Sequence, residues 1–246
     1  MFRKSGKNQA DPKKLVKTGR VKGSVSCVVV AAGSSRRMGF DKLAAPFCGS
    51  TVIGMTLKAL QASPDIDELV LVVREGAEQP VLEAASGCDK VKRIVHGGST
   101  RTESAWNGVM SCDPKAGVIL IHDGARPLVS KEVIHNAVLG ARDHGAAVPA
   151  IPVTDTIKVG EKGFVESTPD RSTLFAAQTP QAFQAELIKS ALQAAKAENL
   201  TLTDDCAAVE RLGMRVKLVE GDPRNRKVTI PADLPVMEAL WKEMDP

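Results

Sequence analysis

The 246-residue chain is poor in aromatic residues, in paired cysteines and in long apolar runs. Each shortage removes a class of protein. Aromatic side chains make up 3% of the sequence, too few for the stacking platforms that hold single-stranded nucleic acids. The five cysteines, at positions 27, 48, 88, 112 and 206, are odd in number and form no C-x-x-C pair. Neither a disulfide framework nor a zinc site is therefore expected, and a reducing cytoplasm fits best. The longest unbroken apolar run lies around Cys27 to Ala32, far below the roughly 18 residues that cross a bilayer, so a soluble chain with no membrane partner is expected. There is no collagenous or low-complexity bias. The hydrophobic share of 43% and the charged share of 25% are ordinary globular values.

The net charge of +4 invites a nucleic-acid reading, but its distribution opposes one. Residues 1–23 hold eight basic side chains against one acid, Asp11, for a net +7, which leaves −3 for the rest of the chain. An acidic body with a basic tail lacks the continuous positive face of a nucleic-acid binder. The tail reads as disordered. It has no apolar stretch for a secretory signal and is too lysine-rich and serine-poor for a transit peptide.

From Val25 onward, apolar runs of strand length alternate with segments of helical period, as in VSCVVVA, STVIGMTLKAL, ELVLVVR, VKRIV, AGVILIHD and SKEVIHNAVLGARDHG. Runs that are apolar throughout suit strands covered on both faces, and intervening helices imply right-handed crossovers. The expected fold is α/β and Rossmann-like: a mostly parallel sheet with helices on both faces, in one domain over 24–244. Ligands of such sheets sit beyond the carboxyl ends of the strands, here the loops beginning at Ala31, His96, His122 and Pro152. Residues 154–178 break the rhythm and turn at Glu161-Lys162-Gly163, which predicts a β-hairpin arm. A lone hairpin is marginal in water, so the arm should pack on something, most simply the same arm of a second subunit. Helices are expected over 184–198 and 203–212, then a strand in MRVKLVEG and a closing helix near Pro231.

The chemistry-bearing residues gather in the predicted loops. AAGSSRRMGFDK (Ala31 to Lys42) leaves a strand with small residues and then offers Arg36, Arg37 and Lys42. Small residues let backbone N–H groups approach a phosphate, and the cations neutralise its charge. The loop is neither G-x-G-x-x-G nor G-x-x-x-x-G-K-[ST], which disfavours dinucleotide dehydrogenases and P-loop enzymes. Taken alone it also suits a tight turn with solvated basic residues. In HGGSTRTES (His96 to Ser104) Gly97 and Gly98 admit backbone contacts to a base edge and Ser104 supplies a hydroxyl, while Arg101 is either a phosphate contact or a helix-surface charge. In IHDGARP, Asp123 ends a strand beside Gly124 and a pre-proline Arg126, placed to bind a ribose hydroxyl or Mg²⁺; in isolation it equally suits an Asp-Gly turn with an arginine salt bridge. Thr203, before Asp204 and Asp205, has the look of a helix N-cap, whose free N–H groups also suit an anion. Asn225 and Lys227 in RNRKVT lie on a loop able to close over a phosphate.

In order, AAGSSRRMG, HGGSTRTES, HDGARP, TDTIK, the Asp170-Arg171 pair, QTPQAF, TDD and NRKVT resemble the 2-C-methyl-D-erythritol 4-phosphate cytidylyltransferases of non-mevalonate isoprenoid synthesis, over Val25 to about Ala239. The resemblance implies a homodimeric enzyme, joined through the arm, that uses CTP and Mg²⁺ and releases pyrophosphate. It places Arg37 and Lys42 on the triphosphate, and Ala31, Ala32, Gly33, Gly98 and Ser104 on cytosine and ribose, with Arg101 beside them on the CTP side. Asp123, Gly124, Arg126, Thr156, Thr203 and Lys227 fall to the methylerythritol phosphate, with Arg171 reaching that phosphate from the other subunit. Arg37, Lys42, Arg171 and Lys227 then form the catalytic set, and Asp123 is the one candidate metal ligand. Arg224 stands where the family is often acidic. The alternatives are a ribitol 5-phosphate cytidylyltransferase, which shares the CTP loop, and a non-catalytic nucleotide-binding protein on the same fold.

Overall fold

The computed structural model describes Val16, residues 21–33 and residues 38–244. Packing begins at Val21, three residues before the boundary expected at Ser24: its side chain is buried and its N–H donates to Arg142 O at 3.4 Å.

The central sheet is built on strands β1 (Ser24–Ala31), β4 (Glu68–Val73), β5 (Val91–His96), β6 (Ala116–Asp123) and β7 (Ala146–Pro152). Two short strands, β2 (Pro46–Phe47) and β3 (Ser50–Thr51), pair separately. β1 pairs in parallel with β4 and β6, and β4 with β5. β6 and β7 do not pair directly. Between them lies β11 (Gln181–Gln184), antiparallel to both, and β10 (Phe175–Ala177) continues along the same side of β7. β12 (Lys217–Glu220) joins the other side of β7 in parallel. The QTPQAF segment is too short and too polar to announce a strand by periodicity, although Gln181 and Gln184 are both buried.

The inner strands are uniformly apolar because each face has its own core. In β1, Val25, Cys27, Val29 and Ala31 enter one apolar cluster while Val28 enters the other; in β4, Leu69, Leu71 and Val73 oppose Val70 and Val72. This is the period of two expected of a strand, with hydrophobic partners on both sides. The first cluster is covered by helices α1 (Val52–Gln61), α2 (Gln79–Ala85), α4 (Lys131–His144) and α7 (Asp233–Met244). The second lies under α3 (Arg101–Met110), α5 (Ala185–Ala197) and α6 (Cys206–Arg211). Gly108 lets α3 sit close on the sheet, since a Cβ there would fall 2.3 Å from Val28 Cγ1. Among the described residues no helix is long and apolar enough to cross a membrane.

The arm is present where the turn residues foretold it. β8 (Val159–Glu161) and β9 (Phe164–Ser167) are antiparallel. Lys162 (φ 50°) and Gly163 (φ 86°) supply the two positive φ values that a tight two-residue hairpin turn requires. Both strands are exposed along their whole length, Phe164 at 79%. All five cysteines are unpaired thiols, and burial pushes Cys112 up to about 12.

Candidate active site

Four strand ends converge at one edge of the sheet. Gly124 N donates to Val30 O at 3.0 Å, which draws the loop after β6 against the end of β1. Gly97 N donates to Val73 O at 2.8 Å and joins the loop after β5 to the end of β4. Gly97 also lets two loops touch: a Cβ there would lie 2.5 Å from Ala32 Cβ and 2.7 Å from Ser104 Oγ. The small residues at 31–33 and 97–98 thus form one wall, and the close approach requires their size.

Ser104, on the first turn of α3, donates to Thr100 O at 2.9 Å and accepts from Gly98 N at 3.1 Å. Its proton is thereby taken, and one oxygen lone pair remains. Thr100 caps the helix, accepting from Glu103 N at 3.1 Å. Within the chain Arg101 is partnered by a carboxylate rather than standing as a lone surface charge. Its guanidinium forms a fork on Asp205, Nη1 to Oδ1 at 2.9 Å and Nη2 to Oδ2 at 2.6 Å.

Asp123 ends β6 with 8% exposure and is faced by cations. Lys227 Nζ donates to its Oδ2 at 2.8 Å, and Arg126 Nε lies 3.5 Å from the same oxygen. Burial pushes the Asp123 carboxyl up, but Lys227, Arg101 and Arg126 outweigh it and hold the group far below the usual carboxylate range. Lys42 Nζ donates to Val228 O at 3.0 Å, which carries the first loop across to the residue beside Lys227. Arg126 Nη1 donates to Asn225 O at 2.7 Å, and Val228 N to Ala125 O at 2.9 Å. Three segments distant in sequence are thereby laced into one cationic patch.

Two expectations are corrected. Asn225 does not face a phosphate: its side chain is fully buried and donates to Thr179 O at 2.8 Å and Gln178 Oε1 at 3.2 Å, anchoring the loop from below. The helix expected at 203 begins at Cys206, so Thr203 is not its cap. The N–H groups there are already engaged, Asp205 N and Cys206 N by Gln181 Oε1 at 3.0 Å each and Ala207 N by Asp204 Oδ1 at 3.0 Å. What remains at Thr203 is an exposed hydroxyl. Asp123, the candidate metal ligand, has its Oδ2 held by Lys227. Among the described residues no three His, Cys, Asp or Glu side chains converge, and the near partners of Asp123 are cations.

Thr156 and Arg171 lie on the exposed arm, apart from this patch. Arg171 Nη1 donates to Thr154 O at 2.7 Å, and neither residue bonds to Asp123 or Lys227 within the chain. Arg224 is engaged by Asp222 at 2.7 Å. Arg36 and Arg37 lie outside the described residues. Sequence reasoning passed over His122 and Thr179. Thr179 Oγ1 accepts from Asp123 N at 3.1 Å and bonds to His122 Nδ1 at 3.1 Å, while His122 Nε2 faces Arg126 O at 3.4 Å. Burial lowers His122 to about 4. Only a threonine two residues before the QAF run hints at this network.

A family model described as IspD, 2-C-methyl-D-erythritol 4-phosphate cytidylyltransferase, matches residues 25–243. A protein of that name from Geobacter metallireducens is 40% identical over 232 residues, covering 91% of this chain and all of that one. Another from Caldanaerobacter subterraneus is 43% identical over 227 residues, covering 89% of this chain and all of that one. Among solved structures, the 4-diphosphocytidyl-2C-methyl-D-erythritol synthase of Anaerococcus prevotii superposes with a TM-score of 0.80 at 29% identity, over 89% of this chain and 96% of that one. The 2-C-methyl-D-erythritol 4-phosphate cytidylyltransferase of Thermus thermophilus gives 0.75 at 31%, over 89% and 99%. Sequence and fold agree from the first strand to the last helix, and the chain belongs to the 2-C-methyl-D-erythritol 4-phosphate cytidylyltransferase family.

Proposed function

We propose that the chain transfers the cytidylyl group of CTP to 2-C-methyl-D-erythritol 4-phosphate in non-mevalonate isoprenoid precursor synthesis, working in the cytoplasm. A phosphate oxygen of the acceptor attacks the α-phosphorus, the bond from that phosphorus to the β-bridging oxygen breaks, pyrophosphate leaves, and 4-diphosphocytidyl-2-C-methyl-D-erythritol forms. The observation that carries this reading is the lacing of Lys42 to Val228 O beside Lys227, with Lys227 on Asp123. It brings Lys42 to the loop that carries Lys227, at the strand ends.

The nucleophile needs no general base, because a phosphate monoester with a second pKa near 6 is mostly dianionic at neutral pH. The surroundings agree with that. His122 is buried, has a pKa of about 4 and has both nitrogens facing partners. The barrier is then repulsion between two anions, and catalysis amounts to charge neutralisation and in-line positioning. Lys42, with Arg37, serves the triphosphate. Lys227, Arg126 and Thr203 take the acceptor, with Thr156 and Arg171 supplied by the arm of a second subunit, for which the exposed Phe164, Val165 and Val159 are a suitable apolar face. Asp123 holds Lys227 and Arg126 in place. The remaining lone pair of Ser104 suits the amino group of cytosine, against the small wall at Ala31, Ala32, Gly33 and Gly98. Mg²⁺ bound with the triphosphate would supply further charge neutralisation; among the described residues no three His, Cys, Asp or Glu side chains form a cage for it.

Pyrophosphate release is the test, measured with CTP and methylerythritol phosphate, ribitol 5-phosphate or no acceptor, with and without Mg²⁺. The proposal expects turnover with methylerythritol phosphate only. Preference for ribitol 5-phosphate, or CTP binding without turnover, would overturn it.

A further inference from the structure

Arg101 and Asp205 are 104 residues apart in sequence and meet in a two-bond fork. The carboxylate is almost fully enclosed, with 1% of its side chain exposed against 27% for the arginine. Burial pushes the Asp205 carboxyl above the usual carboxylate range, and Arg101 only partly offsets this. A buried ion pair of this kind adds little net stability over an apolar pair, so its presence asks for a reason beyond stability. Its location supplies one. Arg101 is the first residue of α3, directly after the Gly97–Thr100 loop, and Asp205 stands two residues after Thr203. The same two segments are tied again where Leu202 N donates to Thr102 Oγ1 at 3.1 Å. From the sheet side, Gln181 holds both Asp205 N and Cys206 N, and its Nε2 donates to Asp204 Oδ2 at 2.8 Å. Gln181 is in register with Ile121, two residues before Asp123. One bracket thus spans the wall beside the nucleotide, the loop bearing Thr203 and the strand bearing Asp123.

We propose that the Arg101–Asp205 fork is a positioning pair that fixes the spacing between the nucleotide wall and the acceptor loop, without contact between Arg101 and CTP. The proposal rests on the cytidylyltransferase reading above. A planar guanidinium on a carboxylate sets both distance and orientation, which an ammonium on a flexible stem does not. Misplacing the acceptor by about 1 Å is enough to cost about 10²-fold in rate.

The test uses Arg101→Lys, which keeps the charge and loses the fork, Asp205→Asn, which keeps the shape, and the double variant. Each is assayed below its melting temperature for kcat, for both KM values and, by calorimetry without acceptor, for CTP affinity. The expected result is a loss of about 10²-fold in kcat/KM for the acceptor in both single variants, no further loss in the double variant, and CTP affinity within about twofold of wild type. Unchanged acceptor kinetics in either folded single variant would overturn the proposal. So would weakened CTP binding in Arg101→Lys but not in Asp205→Asn, the mark of a direct phosphate contact. The lysine variant retains a cation against the buried carboxylate, so it remains a fair test if the asparagine variant does not fold. A wild-type enzyme that released no pyrophosphate with CTP and methylerythritol phosphate would instead fell the underlying reading, and the bracket with it.

Discussion

Asp123 stays ionised because Lys227, Arg101 and Arg126 outweigh its burial, and His122 stays neutral because burial costs its charged form more than the neighbouring Asp123 returns. The two groups, adjacent in sequence, are both shifted downward, but from different ordinary values, so their pH windows separate. His122 has a folded pKa of about 4 against an ordinary value near 6.5, so the unfolded chain binds the extra proton first. Its contribution is complete above about pH 6.5 and is lost as pH falls toward 4, by about 3 kcal/mol in all. Urea unfolding at pH 7, 5.5 and 4.5 should show this slope in the wild type and a shallower one in His122→Asn; equal slopes would contradict the assignment. For Asp123 the folded pKa is depressed, so its stabilising effect persists until pH falls below the ordinary carboxylate value near 3.9. The difference in Tm between wild type and Asp123→Asn should hold steady from pH 8 to about 5 and shrink only in stronger acid. A difference that closes near pH 6 would mean that the surrounding cations do not hold the carboxylate as described.

Among the elements, the arm carries the largest unresolved exposure. Phe164, Val165, Val159 and Ile157 are open to solvent on a two-stranded unit that does not hold its shape alone. Phe164→Ser should therefore weaken self-association and leave the fold of the domain intact. Sedimentation velocity across a concentration series would read this; a monomeric wild type would contradict it. The arm was legible in the sequence because its turn chemistry is local, as were β1, β4, β6 and the helix over 131–144, whose apolar runs and periodicity need no knowledge of their neighbours. β11 was not legible, because a four-residue strand with buried glutamines is specified by the two strands that flank it. The site divides along the same line. Glycines and cations after strand ends mark Gly98, Lys42, Asp123 and Lys227 as candidates, but the turning inward of Asn225, the fork of Arg101 on Asp205 and the threonine under Asp123 are long-range hydrogen bonds with no local pattern.

For the whole molecule, the proposed site draws on two chains, with Lys227 in one and Arg171 on the arm of the other. Two variants that are each impaired at low methylerythritol phosphate, Arg171→Ala and Lys227→Ala, should then complement when co-expressed, because about a quarter of the sites in a random mixture of dimers carry neither change. Recovery to about that fraction of wild-type turnover is expected, and no recovery would place Arg171 in its own chain's site. At this scale cations gathered at strand ends allow two repelling anions to meet, with a separate lysine for each. Steady-state kinetics of Lys42→Ala and Lys227→Ala with both substrates varied tests it most directly. The account predicts a loss of about 10²–10³ in kcat for Lys42→Ala and, for Lys227→Ala, a KM that rises more for methylerythritol phosphate than for CTP. Undiminished turnover by the first variant, or an equal rise of both KM values in the second, would contradict it.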